Sequence, residues 1–502
     1  MNYKLLLETL VHLKPTQIVF QILSKVSRPQ LKSAIAPKIP FEIENERLIN
    51  PIPKYKSWDG KFFCFLNIKD TFISWNQTGH GMLWAYNLNY MDWLGQECIS
   101  VIECEQWIDK FIDELPKNKV GLDPYPIALR SINWIKFFCK NIESATKPRL
   151  DSLYSQVLLL EKKLEYRLLG NHLLEDAYAL YIGGAFFHDE RILKSATKLL
   201  LGQLKEQVLP DGAHYEQSVM YHCILLDRLL DAINVGERCA VNGAELRHYA
   251  ERMLGHLESI VWSDGDMLMA NDAAHGIAPK PTEIFDYAKR LGIKWTAIPL
   301  KECGYRKLQN EHLEAIVDVG NITATYQPGH THADTFNYEL RIDGKPFVVD
   351  TGISTYNKTE RRQLERSTVA HNAVSVDGKN SSEVWGGFRV GRRCHSIVES
   401  LEFRDESQFE VKSIKAWHDG YGKKCWRTFK MTGDAFEIED EFDGEAVSYV
   451  HLAQDADVER IKVEGAYKIE VKPWKYSTSY NQFHDGKVLE IHFNGQLKYT
   501  IR

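Results

Sequence analysis

The spacing of apolar residues changes once along this chain of 502 residues, and that change limits the folds the chain can adopt. From about residue 85 to 300, apolar residues recur every three or four positions, as in 151–169, 190–209 and 221–235. This spacing predicts amphipathic helices. After about residue 310 they alternate at every second position, as in 408–417 and 487–495, which predicts strands.

A run of helices followed by a run of strands predicts an α+β multidomain protein. We assign a helical domain to residues 1–305 and an antiparallel β-sandwich domain to residues 306–502, with the linker within 295–308. Turn signals at 210–212 and 263–265 separate successive helical hairpins. The periodicity alone leaves open a bundle, a solenoid or a toroid for the helical domain.

Charge and cysteine usage exclude several classes of protein. The net charge of −6 offers no basic surplus, so we expect no nucleic-acid partner. The nine cysteines form no CxxC pair, which argues against a disulfide framework and against a cysteine zinc site.

The first thirty residues bear on where the protein is found. Their helical spacing is interrupted by His12, Lys14 and Pro15, so they make a poor signal peptide. No stretch approaches the ~20 apolar residues of a membrane span. We therefore expect a cytoplasmic protein. The alternatives are a periplasmic protein, or one that associates with a membrane surface through an interfacial amphipathic helix.

Polar residues cluster in PGHTHADTFNYEL, residues 328–340. In an extended strand His330, His332 and Asp334 point to one face, which becomes apolar further along. The polar end then faces a cavity, a metal or a partner, unless it is a strand end in contact with solvent. Three residues, His332, Asp350 and His371, together supply two imidazoles and a carboxylate, a ligand set suited to Zn²⁺.

Two further clusters open predicted helices. In 170–180, Glu175 lies one turn from His172 and is placed to hold its ring, while Asn171 is a preferred residue type for a helix cap. The alternative interpretation is a cap alone. In 210–222, Ser218 is a plausible cap, and Tyr221 in the first turn is either a general acid facing a cleft or an amphipathic residue at a domain rim.

A fourth cluster, 123–134, brings Tyr125, Arg130 and Trp134 close together. Arg130 and Trp134 are four residues apart on a predicted helix. They either hold an anionic sugar or form an ordinary cation–π contact. From charge and position we predict that these three residues and Arg366 bind substrate.

The ordered set of these motifs resembles the heparinase II/III family of polysaccharide lyases and spans roughly residues 85–395. The matching stretches are YNLNYMDWL, PYPIALRSINW, GNHLLEDAYAL, DGAHYEQSVMYH, NDAAHGIA, PGHTHADTFNYEL, VVDTGISTY, RSTVAHNAVSVDG and SEVWGGFRVGRR. The resemblance implies an N-terminal (α/α) toroid joined to an antiparallel β-sandwich. It also implies β-elimination on a uronic-acid polysaccharide, so the expected partner is an anionic polysaccharide or oligosaccharide.

The resemblance also implies roles for individual residues. Asn171 and His172 resemble the groups that neutralise the uronate carboxylate, and Glu175 resembles an orienting partner. Tyr221 resembles the tyrosine acid, which also serves as base in syn elimination, and His330 resembles the histidine base for the other epimer.

His332, Asp350 and His371 resemble ligands of a structural divalent metal, usually zinc, beside the site. If His330 faces substrate while His332 faces metal, the chain there is not a regular strand. We then expect Gly329 to permit the bend and Asp334 to make a supporting hydrogen bond.

The expected substrate is glycosaminoglycan-like, heparan-sulfate-like or a bacterial surface polysaccharide. One alternative is a non-catalytic protein that binds polysaccharide or assists its biosynthesis. The other is a glycoside hydrolase, which needs two carboxylates facing the cleft at ~5–9.5 Å.

Overall fold

The structure is a computed structural model that describes residues 3–37 and 48–502. Residues 1–2 and 38–47 of the predicted helical domain lie outside this description. The helices are α1 (Tyr3–Leu10), α2 (Pro15–Val26), α3 (Met82–Tyr90), α4 (Val101–Glu114), α5 (Pro124–Lys140), α6 (Lys147–Glu161), α7 (Gly170–Phe186), α8 (Glu190–Gln207), α9 (Val219–Arg238), α10 (Ala244–Ile260), α11 (Pro281–Arg290) and α12 (Glu360–Glu365).

The strands follow mainly in the second half of the chain. They are β1 (Phe63–Phe65), β2 (Ile68–Asp70), β3 (Tyr305–Gln309), β4 (Leu313–Asp318), β5 (Tyr338–Ile342), β6 (Lys345–Val348), β7 (Val374–Ser375), β8 (Val384–Trp385), β9 (Arg389–Val390), β10 (Ser396–Phe403), β11 (Val411–His418), β12 (Cys425–Met431), β13 (Phe436–Leu452), β14 (Ile461–Ser479) and β15 (Gln482–Ile501).

The helical domain has an inner and an outer layer. Helices α5, α7 and α9 are buried over nearly their whole length, and α7 packs against both α5 and α9. The outer helices are amphipathic. Helix α8, for example, buries Ile192, Ala196, Leu200 and Leu204, a stripe at every fourth residue. This spacing is why the sequence between 190 and 207 can cover an inner helix and still face solvent.

The second domain is built on one eleven-stranded antiparallel sheet. The strand order β10-β11-β12-β13-β6-β5-β4-β3 forms its main path, and β15 pairs with both β13 and β14. Apolar side chains from both ends of this path share one core, in which the Tyr338 ring meets Phe429 and Phe436 edge to face. The predicted fold class, a helical (α/α) toroid followed by an antiparallel β-sandwich, is confirmed.

The predicted elements differ from the observed ones mainly at their ends. The helix expected over 151–169 ends at Glu161, and a loop follows in which Leu169 and Gly170 have positive φ at the sharp entry into α7. The domain boundary predicted after residue 305 falls at the first residue of β3, and it stays a prediction. No helix within 3–37 or 48–502 combines the length and the apolar character needed to cross a bilayer.

A buried ion pair fixes the interior of the sandwich. Arg427 on β12 donates to both carboxylate oxygens of Asp440 on β13, at 2.6 and 2.8 Å. It also donates to the backbone carbonyls of Phe336 and Asn372. Arg427 therefore ties the sheet to the two loops that carry the polar clusters around residues 330 and 371.

We expect Asp440→Ala to destabilise the sandwich by about 3–5 kcal/mol, because the charge of Arg427 then stays buried without its partner. Hydrogen exchange of the β12 and β13 amides measures this loss as a lower opening free energy. The matched control is Glu441→Ala, whose half-exposed pair with Lys415 contributes at most about 1 kcal/mol. Equal losses in the two variants would contradict the buried-pair account.

Candidate active site

A cavity of about 470 Å³ lies where the inner helices meet loops of the sandwich. From the helical side it is lined by residues of α3, α5, α7 and α9, including Tyr125, Asn171, His172 and Tyr221. From the sandwich side come the loop residues Gln327, Gly329, His330, Tyr356, Phe388 and Tyr480. Polar groups from two domains therefore converge on one space.

The loop before β5 delivers His330 into this cavity. Residues 328–337 form turns, and the strand begins only at Tyr338, so His330 and His332 are not neighbours on one strand face. Gly329 lies in a turn just before His330, but its φ is not positive and a Cβ would have room there, so this bend does not require glycine; the positive φ of this loop, 66°, is at Phe336. Arg427 holds the Phe336 carbonyl, which fixes the end of the loop.

Asp272 orients both histidines of this loop. Its Oδ2 lies 2.8 Å from Nδ1 of His330, and its Oδ1 lies 2.8 Å from Nε2 of His332. Arg362 donates to both oxygens of the same carboxylate. Burial alone would raise the pKa of Asp272, but the charge of Arg362 and the two imidazole contacts hold this pKa well below its usual range. An ionised Asp272 therefore keeps a proton on Nδ1 of His330 and leaves Nε2 free to accept one.

Asn171 lies beside that free nitrogen. Its Nδ2 is 3.3 Å from Nε2 of His330 and donates to Glu216 at 3.0 Å. The interpretation of Asn171 as a helix cap is wrong, because α7 begins at Gly170 and Asn171 already lies in its first turn. Glu216 instead accepts from the Asn171 backbone N–H at 3.0 Å, so a carboxylate from outside the helix satisfies this end of α7.

His172 is held by Glu165, and the prediction that Glu175 orients it is wrong. Nδ1 of His172 lies 2.7 Å from Oε2 of Glu165, because a side chain in a helix leans toward the N-terminus and meets the preceding loop. Glu175 is fully buried against Arg228, and burial raises its pKa to about 7. Burial opposes the charge on His172, but Glu165 outweighs that effect and raises the His172 pKa.

Tyr221 faces the cavity, as the first of its two interpretations expects. Ser218 caps α9 by accepting from the Tyr221 backbone N–H at 3.3 Å, which confirms the predicted cap. The Tyr221 ring lies 3.8 Å from the His330 ring, and its hydroxyl is 3.2 Å from that of Tyr356. Burial raises the pKa of Tyr221 well above its usual value, so the hydroxyl keeps its proton near neutral pH.

Of the predicted substrate-binding residues, Tyr125 lines the cavity and lies 4.7 Å, ring to ring, from His172. The prediction is corrected for Arg130, Trp134 and Arg366, whose side chains are fully buried and lie outside the cavity lining.

Each of the two arginines is occupied by protein groups. Arg130 donates to backbone carbonyls at 2.7 and 2.9 Å and stacks over Phe111 rather than Trp134. Arg366 donates to the Thr331 carbonyl at 2.7 Å, so it supports the loop that carries His330.

The predicted metal ligands lie behind this loop. Nδ1 of His371 contacts Oδ2 of Asp350 at 2.7 Å, and the His371 ring is 5.2 Å from that of His332. Nδ1 of His332, Nε2 of His371 and Oδ2 of Asp334 are buried and have no hydrogen-bond partner among the described residues. Two unpaired imidazole nitrogens beside carboxylates fit a divalent metal by donor type. The ligand atoms of His332, Asp350 and His371 do not all lie within 4.8 Å of one another.

Asp272, Arg362, Glu165, Glu216 and Tyr356 were missed as site residues by sequence reasoning. Asp272 stands within NDAAHGIA, one of the motifs noted above, and so had a signal in the sequence. Glu216 stands within DGAHYEQSVMYH and Tyr356 ends VVDTGISTY, so these two had the same kind of signal, whereas Glu165 and Arg362 become visible only through contacts that cross between elements.

Two family models match the chain: the heparinase II/III N-terminus over residues 150–274 and the heparinase II/III-like C-terminal region over residues 293–491. A heparin-sulfate lyase from Pedobacter heparinus is 28% identical over 324 residues, which are 55% of this chain and 48% of that protein. A heparin-sulfate lyase from Bacteroides stercoris is 23% identical over 339 residues. The matched region thus spans about half the length of these relatives.

A solved structure of heparinase III, the BT4657 gene product, has a similar fold. Its TM-score is 0.63 at 16% identity, and the match covers 86% of this chain and 80% of that chain. The similarity to this structure concerns the fold, in which a helical toroid and a β-sandwich occur together.

We expect Glu165→Gln to lower the pKa of His172, because the mutation removes the charge that raises it. The raised folded-state pKa stabilises the protein below the unfolded value of about 6.5, and this stabilisation is lost as pH rises through the folded value. NMR titration of the His172 imidazole measures the shift. Glu161→Gln, at a surface pair with Arg191, is the matched control and leaves the His172 pKa unchanged. An unchanged His172 pKa in Glu165→Gln would contradict this assignment.

Proposed function

The chain belongs to the heparinase II/III family, and we propose that it is a polysaccharide lyase that cleaves a uronic-acid-containing glycan by β-elimination. One observation carries the proposal: Asn171, Tyr221 and His330 meet in one cavity, with Asp272 fixing the tautomer of His330. The proposed substrate is glycosaminoglycan-like, heparan-sulfate-like or a bacterial surface polysaccharide. The names of the relatives, heparin-sulfate lyases, support the first two.

Elimination first requires that the negative charge of the uronate carboxylate be neutralised, so that the carbanion-like state becomes accessible. His172 supports this role because Glu165 raises its pKa and its ring lines the cavity. Asn171 adds an amide donor next to it. We assign these two residues to the carboxylate of the sugar.

A base must then take the proton next to the carboxylate, and an acid must protonate the leaving oxygen. Nε2 of His330 is the base in this proposal: it takes the proton, the C–H electrons form the new C=C bond, and the C4–O bond breaks. The neutral hydroxyl of Tyr221 gives its proton to the departing oxygen. Tyr356 lies 3.2 Å from the Tyr221 hydroxyl, so it is placed to donate a hydrogen bond to the Tyr221 phenolate that this step leaves. Solvent then takes the proton from Nε2 of His330 and reprotonates Tyr221.

The cavity disfavours the glycoside hydrolase alternative. Among the described residues that line it, Asp92 carries the one carboxylate. Hydrolysis requires a pair of carboxyl groups facing each other across the bond.

We expect the protein to generate ultraviolet absorbance from at least one uronate polysaccharide, because elimination leaves a conjugated double bond beside the carboxylate. The panel comprises heparan sulfate, heparin, hyaluronan, chondroitin, alginate and bacterial capsular glycans. Tyr221→Phe and His330→Ala should each lower the rate by ~10²-fold or more. Tyr467→Phe, which changes an exposed tyrosine, is the control and keeps the rate.

New reducing ends without absorbance would instead indicate a hydrolase. If neither signal appears while the protein binds one of these glycans, and Tyr221→Phe and His330→Ala bind equally well, the protein is a polysaccharide-binding or biosynthesis-accessory protein and the lyase proposal fails.

We also propose that His332, Asp350 and His371 bind a divalent metal, with Zn²⁺ the metal that suits these donors. When bound, the metal would hold the loop that delivers His330. Elemental analysis of protein purified without added metal should give about one equivalent, and His371→Ala should lose it. His312→Ala, at an exposed imidazole, is the control and keeps the metal. Less than about a tenth of an equivalent in the unmodified protein would refute the proposal.

A further inference from the structure

We propose that the exposed apolar face of α1 and α2 docks on an anionic membrane surface. This apolar face consists of Leu7 of α1, Val11 in the turn that follows it, and Ile18, Val19, Ile22 and Val26 of α2, all exposed to solvent in the structure. The fraction of each residue that is exposed reaches 63% at Leu7, 61% at Ile22 and 82% at Val26. Positions 18, 22 and 26 follow one another at every fourth residue, so they form a stripe along one side of α2.

The opposite sides of the two helices attach them to the rest of the protein. Thr9 accepts a hydrogen bond from Nε1 of Trp385, and Gln17 donates to the carbonyls of Leu168 and Tyr326. The ring of Phe20 packs 4.7 Å from that of Tyr166. The helices are thus held without the apolar face, which no side chain within residues 3–37 and 48–502 buries. An exposed apolar stripe such as the one along α2 marks an interaction site.

The charge around the face indicates which partner covers it. Residues 3–37 contain five Lys or Arg and one acidic residue, Glu8, so this segment carries +4, whereas the whole chain carries −6. Lys25, Arg28 and Lys32 are exposed at and beyond the end of α2. Apolar stripes flanked by basic residues are the pattern of helices that lie in the interface of an anionic bilayer. In a symmetric pair of copies the same basic residues would face each other and repel.

The attached sides of α1 and α2, opposite the apolar face, contact elements that also line the candidate active site. Gln17 contacts the carbonyl of Leu168, which lines the cavity, and Trp385 belongs to the β8–β9 hairpin, whose turn carries the cavity residue Phe388. The two helices therefore connect the apolar face to the elements that line the cavity.

The test is co-sedimentation of the full chain with vesicles of phosphatidylcholine alone or of phosphatidylcholine mixed with phosphatidylglycerol. We expect binding to the mixed vesicles, weakened by salt. Lys25→Glu with Arg28→Glu should weaken it about tenfold or more, since each basic residue near an anionic surface contributes substantially to the attraction. Val19→Asp with Ile22→Asp should also remove most of the binding to the mixed vesicles, because it places two charges on the apolar face.

The matched control is Ile469→Asp with Val471→Asp, which places the same charges on exposed apolar positions of β14 and should leave binding unchanged. Circular dichroism establishes that each variant folds. Absence of binding to the mixed vesicles, or an equal loss in the control, would overturn the proposal. Light scattering that detects a dimer dissociated by Val19→Asp with Ile22→Asp would overturn it as well, and would assign the face to a second copy of the chain.

Discussion

The carboxylate of Asp272 is the constraint on which the site depends. It lies in the chain after α10, yet both of its oxygens are taken up by sandwich residues: His330, His332 and Arg362. A buried carboxylate is tolerated only when it is paired and hydrogen-bonded. Arg362 meets that requirement, and the two imidazoles complete it. The contacts that stabilise the Asp272 carboxylate are therefore also the contacts that orient His330.

Other buried charges around the cavity follow the same rule with different results. Glu165 is paired, and its charge keeps His172 protonated to higher pH. Glu175 lies only near Arg228, and both of its oxygens lack a hydrogen-bond partner among the described residues, so burial raises its pKa. Glu165, in the loop before α7, and Glu175, within α7, thus differ in pKa because of what surrounds them, and the type of residue does not decide the role.

Sequence periodicity could predict the fold because helices and strands bury their apolar faces at fixed spacings. It could also place Ser218, Tyr221 and His330, since these stand in recognisable local motifs. It could not predict that Glu165 rather than Glu175 contacts His172, because the contact depends on the direction in which the His172 ring leans. It also misplaced Arg130, whose guanidinium satisfies carbonyls of a loop that the local sequence does not reveal. In a sequence, a charged residue near an aromatic one has the same pattern whether its side chain faces a groove or the core.

The site belongs to neither domain alone. The inner helices supply Asn171, His172 and Tyr221, while the sandwich loops supply His330 and Tyr356. Separating the domains would leave Asp272 without Arg362, and an unpaired buried carboxylate would have to be solvated or protonated. The orientation of His330 would then be lost together with the interface. For this reason the chain needs a rigid junction between the toroid and the sandwich, and the pairing of Asp272 with Arg362 makes that junction a condition for assembling the site.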